Sequence, residues 1–372
     1  MRMSSLLDIL RFRKPVLPVD RRSAALALAA GHGLGAPGSQ DGGQDVDAGD
    51  DDLCGLWIDD PLQLDARRAG TPEDLVPHLD EFVRSGFTIF RGAVPPALVD
   101  AVVAHTQSFG ERPEAVVLKC QGAYIDPVGH ASLRKGDRIV DLYATSADVR
   151  TAIYSPQIKR FLRLVFDDDP IAMQSISFEF GSQQPMHQDT AYVVSERPLC
   201  LAATWMALED IEEGSGELMY YPGSHRFGHF LFSGRHKNWK RSRDGDSAHA
   251  GFLGQLHSQA SERGIREERF LARKGDVLVW HADLAHGGSP IRVEGRTRRS
   301  LVTHFCPRSI KPAYRRMIPQ HYLEFEHEPH CCFTSRHYDL GRMVDGSAPI
   351  IYDGGVSKRR LQAQQTPPVT EP

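Results

Sequence analysis

The residues of this chain that could do chemistry are concentrated first in Met186-His187-Gln188-Asp189-Thr190. An imidazole and a carboxylate two positions apart on an extended segment point the same way, so His187 and Asp189 can reach one metal ion. A His-x-Asp pair alone is weak evidence, because it arises by chance. Trp280-His281-Ala282-Asp283-Leu284-Ala285-His286 adds a second half, following the strand-like run Val277-Leu278-Val279. His187, Asp189 and a distal histidine have the composition of the facial triad of non-haem Fe(II) oxygenases. Such a triad takes one face of the ion and leaves positions open for a bidentate 2-oxo acid and for O2. Arg296, Arg298 and Arg299 then lead into Ser300–Phe305. A guanidinium clamps a carboxylate in a planar, bidentate pair. An arginine twelve residues beyond His286 can therefore reach the far carboxylate of 2-oxoglutarate.

Elements that could position these groups are visible on either side. Thr71-Pro72-Glu73-Asp74 has the form of a helix start, with a Thr cap, Pro at the first position and acids in the first turn. Leu75, Leu79, Phe82 and Val83 then recur at helical spacing up to Gly86, and Phe87–Phe90 follows as a strand. Pro95–Phe109, Ala147–Tyr154 and Ser155–Phe166 are expected helices. After Pro170 the pattern changes to short strands: Ile171–Phe180, Leu199–Leu208, Glu217–Tyr221, Asp276–Trp280 and Ser300–Phe305. Helices followed by strands spaced by turns suggest a β-sandwich or barrel with helices packed outside. The polar stretch 234–254 is expected to be a long surface loop.

Composition bounds the function. The chain has 372 residues, 41% of them apolar and 25% charged, which is a globular balance. A net charge of −4 argues against non-specific nucleic-acid binding. No apolar run is long enough to span a membrane. The six cysteines include no CxxC pair, so zinc ribbons and disulfide frameworks are not indicated, and a cytoplasmic protein with reduced thiols is expected. The Ala-rich run after Arg21-Arg22 is too short and too far from the start for a signal peptide. Residues 1–52, with their Gly- and Asp-rich end, are expected to be a disordered extension, and 354–372 a disordered tail. Residues 53–353 then form one domain.

Taken together, these blocks resemble the phytanoyl-CoA dioxygenase family of Fe(II)/2-oxoglutarate oxygenases. The resemblance covers Leu75 to Pro307. It rests on GFTIFRGAVP, MHQDTAYV, Trp205 with ALEDIEEGSGELMYYPGSHR, and GDVLVWHADLAHGGSP followed by RRSLVTHF. It implies a double-stranded β-helix, a distorted jelly roll of the cupin-like kind, mainly β with flanking helices. It implies iron ligation by His187, Asp189 and His286, and pairing of Arg298 with 2-oxoglutarate. Gln188, Trp205 and Ser289 are the further implied co-substrate contacts. The chain has HGGS where many relatives have HGS, which unsettles Ser289 and leaves Arg299 as the alternative to Arg298. The implied reaction hydroxylates a C–H bond of a small-molecule substrate, with succinate and CO2 released. Asp189 favours hydroxylation over halogenation, since halogenating relatives lack that carboxylate. Desaturation, cyclisation or demethylation on the same scaffold is the neighbouring alternative, and a non-catalytic binding or regulatory jelly roll the other.

Several residues compete for roles. His281 rivals His286, and Asp283 fits a loop residue supporting the ligands. His225 and Arg226 lie in a Pro-Gly turn that could flank a pocket mouth. His327, His330, Cys331 and Cys332 cluster but fit no zinc spacing. The bases Arg235 to Arg243 could make a lid that attracts an anionic substrate, or a solvated loop. Tyr192 could face the pocket or simply pack.

Overall fold

The computed structural model describes residues 53, 55–108, 117–120, 123–125 and 133–312, and four C-terminal strands, Tyr322–Phe325, Cys331–Phe333, Pro349–Asp353 and Ser357–Arg360. The expected extension 1–52 lies outside the described residues, as do His327 and His330. Within the stretch 354–372, only Ser357–Arg360 is described, and it pairs antiparallel with Pro349–Asp353.

Pro72 opens a 3-10 turn, Glu73–Leu75, that runs into helix α2 (Val76–Ser85), after a short α1 (Pro61–Arg68). Thr71 does not cap it: the tight first turn has no side-chain cap, and the Thr71 hydroxyl is buried without a partner. Gly86 ends α2 in the left-handed region at φ 79°, and a Cβ there would sit 2.4 Å from His225 Nδ1. Only glycine meets both demands. The chain then turns into β1 (Phe87–Phe90). Helices α3 (Pro96–Gln107), α4 (Ala147–Ile153) and α5 (Pro156–Phe166) follow as the periodicity predicts. Ser146 caps α4 by accepting from the Val149 N–H. Phe82, Phe90 and Phe161 meet edge-on, with Phe161 5.4 Å from each of the others. Such pairs add about 0.5–1.5 kcal/mol beyond their buried area.

The strands are β2 (Val117–Cys120), β3 (Ala123–Ile125), β4 (Arg138–Val140), β5 (Pro170–Phe178), β6 (Ala202–Ala207), β7 (Leu218–Tyr220), β8 (Glu268–Phe270), β9 (Val277–His281), β10 (His286–Gly288) and β11 (Ser300–Pro307). The larger sheet contains the antiparallel run β1-β9-β6-β11-β5, with β4 also on β5; the smaller runs β10-β7-β8. Strand alternation sorts the side chains into two cores. Ala202, Met206, Val277, Val279, Leu301 and Phe305 face the helices. Ala203, Trp205, Leu278 and Trp280 face the smaller sheet, where they meet Leu218, Tyr220 and Phe270. The result is three layers: helices, larger sheet, smaller sheet. This is the expected cupin-like double-stranded β-helix with helices flanking one face.

Residues 234–254 are not a loop throughout. Helix α6 (Arg241–Glu262) begins inside that stretch and is kinked at Gly245. Phe252, Leu256 and Ala260 recur every four residues and pack on Phe227, Phe232 and Trp239. The polar composition hid that narrow stripe. The bases are also largely matched: Arg241 pairs with Asp246, Arg243 with Asp244, and Lys237 with Asp283. These pairs offset part of the positive charge that a basic lid would present.

Candidate active site

The two histidines meet through the backbone. His187 and His286 form an isolated antiparallel bridge, with His187 N–H donating to His286 O (2.8 Å) and His286 N–H to His187 O (2.9 Å). Their ring centroids lie 4.4 Å apart. Each ring also has its tautomer set. Nδ1–H of His187 donates to Pro185 O (2.8 Å), and Nδ1–H of His286 donates to Leu284 O (3.0 Å). A carbonyl can only accept, so in the neutral form of each ring Nε2 is the nitrogen left with a lone pair for a metal. Gln184 donates its amide to His187 Nε2 at 3.0 Å.

Asp189 opens a 3-10 turn, Asp189–Ala191. Its Oδ1 lies 3.9 Å from His187 Nε2 and 3.6 Å from His286 Nε2. One ligand atom from each of the three residues fits within 4.8 Å of the others. Burial and the neighbouring His286 push His187 down to about 3, so it is neutral at pH 7. Burial by itself would raise the Asp189 carboxyl; the surrounding His286, His304 and His187 outweigh that and hold it below the usual carboxylate range. A neutral His187, a second imidazole and an ionised carboxylate make a donor set suited to a divalent transition metal.

Arg298 extends into the cavity beside this group. It is 3% exposed, donates from Nη1 to Ser300 Oγ (2.8 Å), and leaves Nε without a partner. Burial lowers it to about 10, against the pull of Glu209 and Glu217. Its guanidinium lies over the rings of Phe178 and Trp205, at 5.5 and 5.6 Å. Trp205 also lines the cavity, and its buried indole N–H has no acceptor. Orphaned buried donors cost about 1–3 kcal/mol each, a cost that acceptors bound in the cavity would offset. Arg299 points the other way, paired with Glu209 (3.0 Å) and Glu179 (3.2 Å).

Two expected contacts are corrected. His187 and Asp189 face the cavity, so alternation turns Gln188 away, and its amide donates to Asp283 O at 2.7 Å. Ser289 is buried, but its position three residues after His286 puts it on the opposite side of the strand from a serine two residues after. Gly288 holds that second position. A Cβ on Gly288 would lie 2.6 Å from Ser182 Oγ, so the cavity-lining Ser182 brings a hydroxyl there instead.

The rivals fall outside this cavity. His281 accepts from the Asp283 N–H through Nδ1 and lies 3.2 Å from Asp59. Arg226 donates to Val83 O, against which His225 also packs. Asp283 is fully buried and accepts from Thr190 Oγ1 (2.8 Å) and Lys237 Nζ (3.0 Å), so it supports both neighbours of Asp189. Tyr192 does line the cavity, and its hydroxyl meets His249 of α6 at 2.6 Å.

Sequence reasoning missed Lys119, Trp280 and His304, all of which line the cavity. Burial and the nearby Arg138 lower Lys119 to about 8. No local motif links any of the three to the His-x-Asp pair; the sheet register does.

The chain is 24% identical over 166 residues to mouse (Mus musculus) phytanoyl-CoA dioxygenase domain-containing protein 1, covering 44% of this chain and 50% of the relative. It is 22% identical over 246 residues to the human (Homo sapiens) peroxisomal phytanoyl-CoA dioxygenase, covering 60% and 66%. The matched region thus spans about half the length of the mouse relative. Among solved structures, the non-haem alpha-ketoglutarate-dependent epimerase SnoN from nogalamycin biosynthesis aligns with a TM-score of 0.45 at 15% identity, over 65% of this chain and 87% of that one. The family model described as phytanoyl-CoA dioxygenase (PhyH) matches residues 82–300, which takes in all three clustered side chains and Arg298, and the chain belongs to that family.

Proposed function

We propose that the chain is an Fe(II)- and 2-oxoglutarate-dependent dioxygenase that hydroxylates a C–H bond of a small-molecule substrate. The observation that carries this is the pairing of a metal-ready His187, Asp189, His286 cluster with a buried arginine, Arg298, that lacks a carboxylate partner. Membership of the phytanoyl-CoA dioxygenase family supports the same reading.

His187 Nε2, Asp189 Oδ1 and His286 Nε2 would hold the iron. Fe(II) with 2-oxoglutarate supplies the oxidising chemistry, coupling decarboxylation of the co-substrate to succinate and CO2 with insertion of one oxygen atom of O2 into the C–H bond. The protein's part is placement. Arg298 pairs with the far carboxylate, and Ser300 holds its fork in position. The Trp205 N–H offers a further donor to the co-substrate. Phe178, Val302 and Leu218 form apolar walls that keep bulk water from the reacting centre.

The test is anaerobic titration of the apoprotein with Fe(II) and 2-oxoglutarate, following the visible metal-to-ligand charge-transfer band of a chelated keto acid. The band is expected in the wild type, and lost or strongly weakened in Asp189→Ala and Arg298→Ala. A folded wild-type protein that gives no band overturns the proposal.

A further inference from the structure

The Asp189 carboxylate lies against the larger sheet at one particular row. In the register, Ala203 of β6 stands opposite Trp280 of β9 on one side and opposite His304 of β11 on the other. Neighbouring strands are about 4.8 Å apart, so Trp280 and His304 flank a single small side chain. Both line the cavity. The methyl group of Ala203 leaves room between them, and the carboxylate occupies that side of the row.

Each flanking residue addresses a different oxygen. The Trp280 indole N–H donates to Asp189 Oδ2 at 2.7 Å. His304 Nε2 lies 3.3 Å from Oδ1, the oxygen that also faces the two candidate histidine ligands. The Trp280 ring packs on His286 with centroids 4.8 Å apart. His304 is 3% exposed, and neither of its ring nitrogens has a hydrogen bond. A buried imidazole set against a buried carboxylate needs a reason. The β11–β5 register shifts between His304 and Phe305. Bulges of this kind re-aim side chains next to active sites.

We propose that Trp280 and His304 are positioning residues that clamp the Asp189 carboxylate from two sides, so that it offers Oδ1 to the metal and cannot swing to bind through both oxygens. This rests on the reading of Asp189 as a metal ligand. With Oδ2 held by Trp280, the carboxylate occupies one coordination position and leaves the others open. Neither residue is a ligand in this assignment; each acts through Asp189.

Co(II) binding to the apoprotein tests it, because affinity and the visible d–d spectrum both report on the carboxylate without any turnover. Four proteins are compared: wild type, Trp280→Phe, His304→Gln and His304→Leu, with the urea unfolding of each apo form recorded first. Trp280→Phe keeps a ring and removes the donor. Gln keeps a donor at 304, and Leu removes it. Trp280→Phe and His304→Leu are expected to bind Co(II) about 10–100-fold more weakly, with altered spectra, while His304→Gln stays near wild type. Wild-type affinity and spectrum in both donor-deleted variants overturn the clamp. Equal loss in His304→Gln and His304→Leu, with Trp280→Phe unchanged, also overturns it and makes His304 a ligand. If Trp280→Phe does not fold, the two His304 variants decide alone. A folded wild type that binds no Co(II) overturns instead the metal reading on which the clamp rests.

Discussion

At the scale of single residues, Arg298 and Arg299 separate most sharply. They are adjacent and of one type, yet one is buried in the cavity and the other paired with Glu179 and Glu209. Arg298→Lys keeps a charge but loses the planar fork. It is expected to weaken 2-oxoglutarate binding about 10–100-fold, in line with the roughly 1.5–3 kcal/mol of a charge-assisted hydrogen bond. Arg299→Lys is expected to leave that affinity within about twofold. Titration of the charge-transfer band measures both, and equal effects would contradict the assignment. His187, Asp189 and His286 were legible because two of them lie two apart on one extended segment and the third follows shortly after a strand-like run. Gln188 and Ser289 were misplaced for one reason: the family pattern names residue types, while strand alternation decides which way each side chain points. Trp280 and His304 stand inside two of the motifs, but no local spacing places them beside Asp189; only the register across Ala203 does.

At the scale of elements, β10 shows how one glycine shapes a wall. Gly288→Ser would place a Cβ 2.6 Å from Ser182 Oγ and 2.8 Å from the Gln183 nitrogen. The second contact is backbone and cannot swing away, so the substitution is expected to destabilise the protein by roughly 1–3 kcal/mol. A urea midpoint unchanged from wild type would show that the strand yields freely. The segment before α6 carries a second test. Lys237 and Asp283 form an ion pair at 3.0 Å with side chains only 2% and 1% exposed. Lys237→Met leaves the Asp283 charge buried, at an expected cost of about 3–5 kcal/mol. Equilibrium unfolding measures it, and a cost under about 1 kcal/mol would mean that Asp283 is neutral or otherwise satisfied. Strands β1, β5, β6, β7, β9 and β11 and helices α2–α5 were readable from the sequence pattern; the short β2, β3, β4, β8 and β10 were not. Helix α6 was not, because a few apolar positions among many polar ones, interrupted by glycines, carry too little local signal until Phe227, Phe232 and Trp239 give that stripe something to cover.

At the scale of the whole molecule, the buried histidine makes stability depend on pH. His187 ordinarily titrates near 6.5 but in the folded state only near 3. Between those values the unfolded chain binds a proton that the native protein does not. The apoprotein is therefore expected to lose stability as pH falls through this window, by up to about 1.4 kcal/mol per pH unit from this group alone. Urea midpoints measured from pH 7 to pH 4 check the sign, and a midpoint that rises in acid would refute it. Asp189 works in the same direction at still lower pH, since its carboxyl is held below the usual range. The layered fold was legible in outline because helices precede spaced strands; the layer order depends on long-range pairing that no local pattern contains. The paired main chains of His187 and His286 bring a last consequence. In a zinc finger the ion gathers its own ligands, and the free energy of binding is the free energy of folding. Here the two imidazoles are brought together by peptide groups that hydrogen-bond to each other. The ordering entropy of the pair is lost during folding, before any ion arrives. Metal can then leave and return as an exchangeable visitor to a finished socket, and chelation should abolish chemistry while leaving a native, reloadable protein.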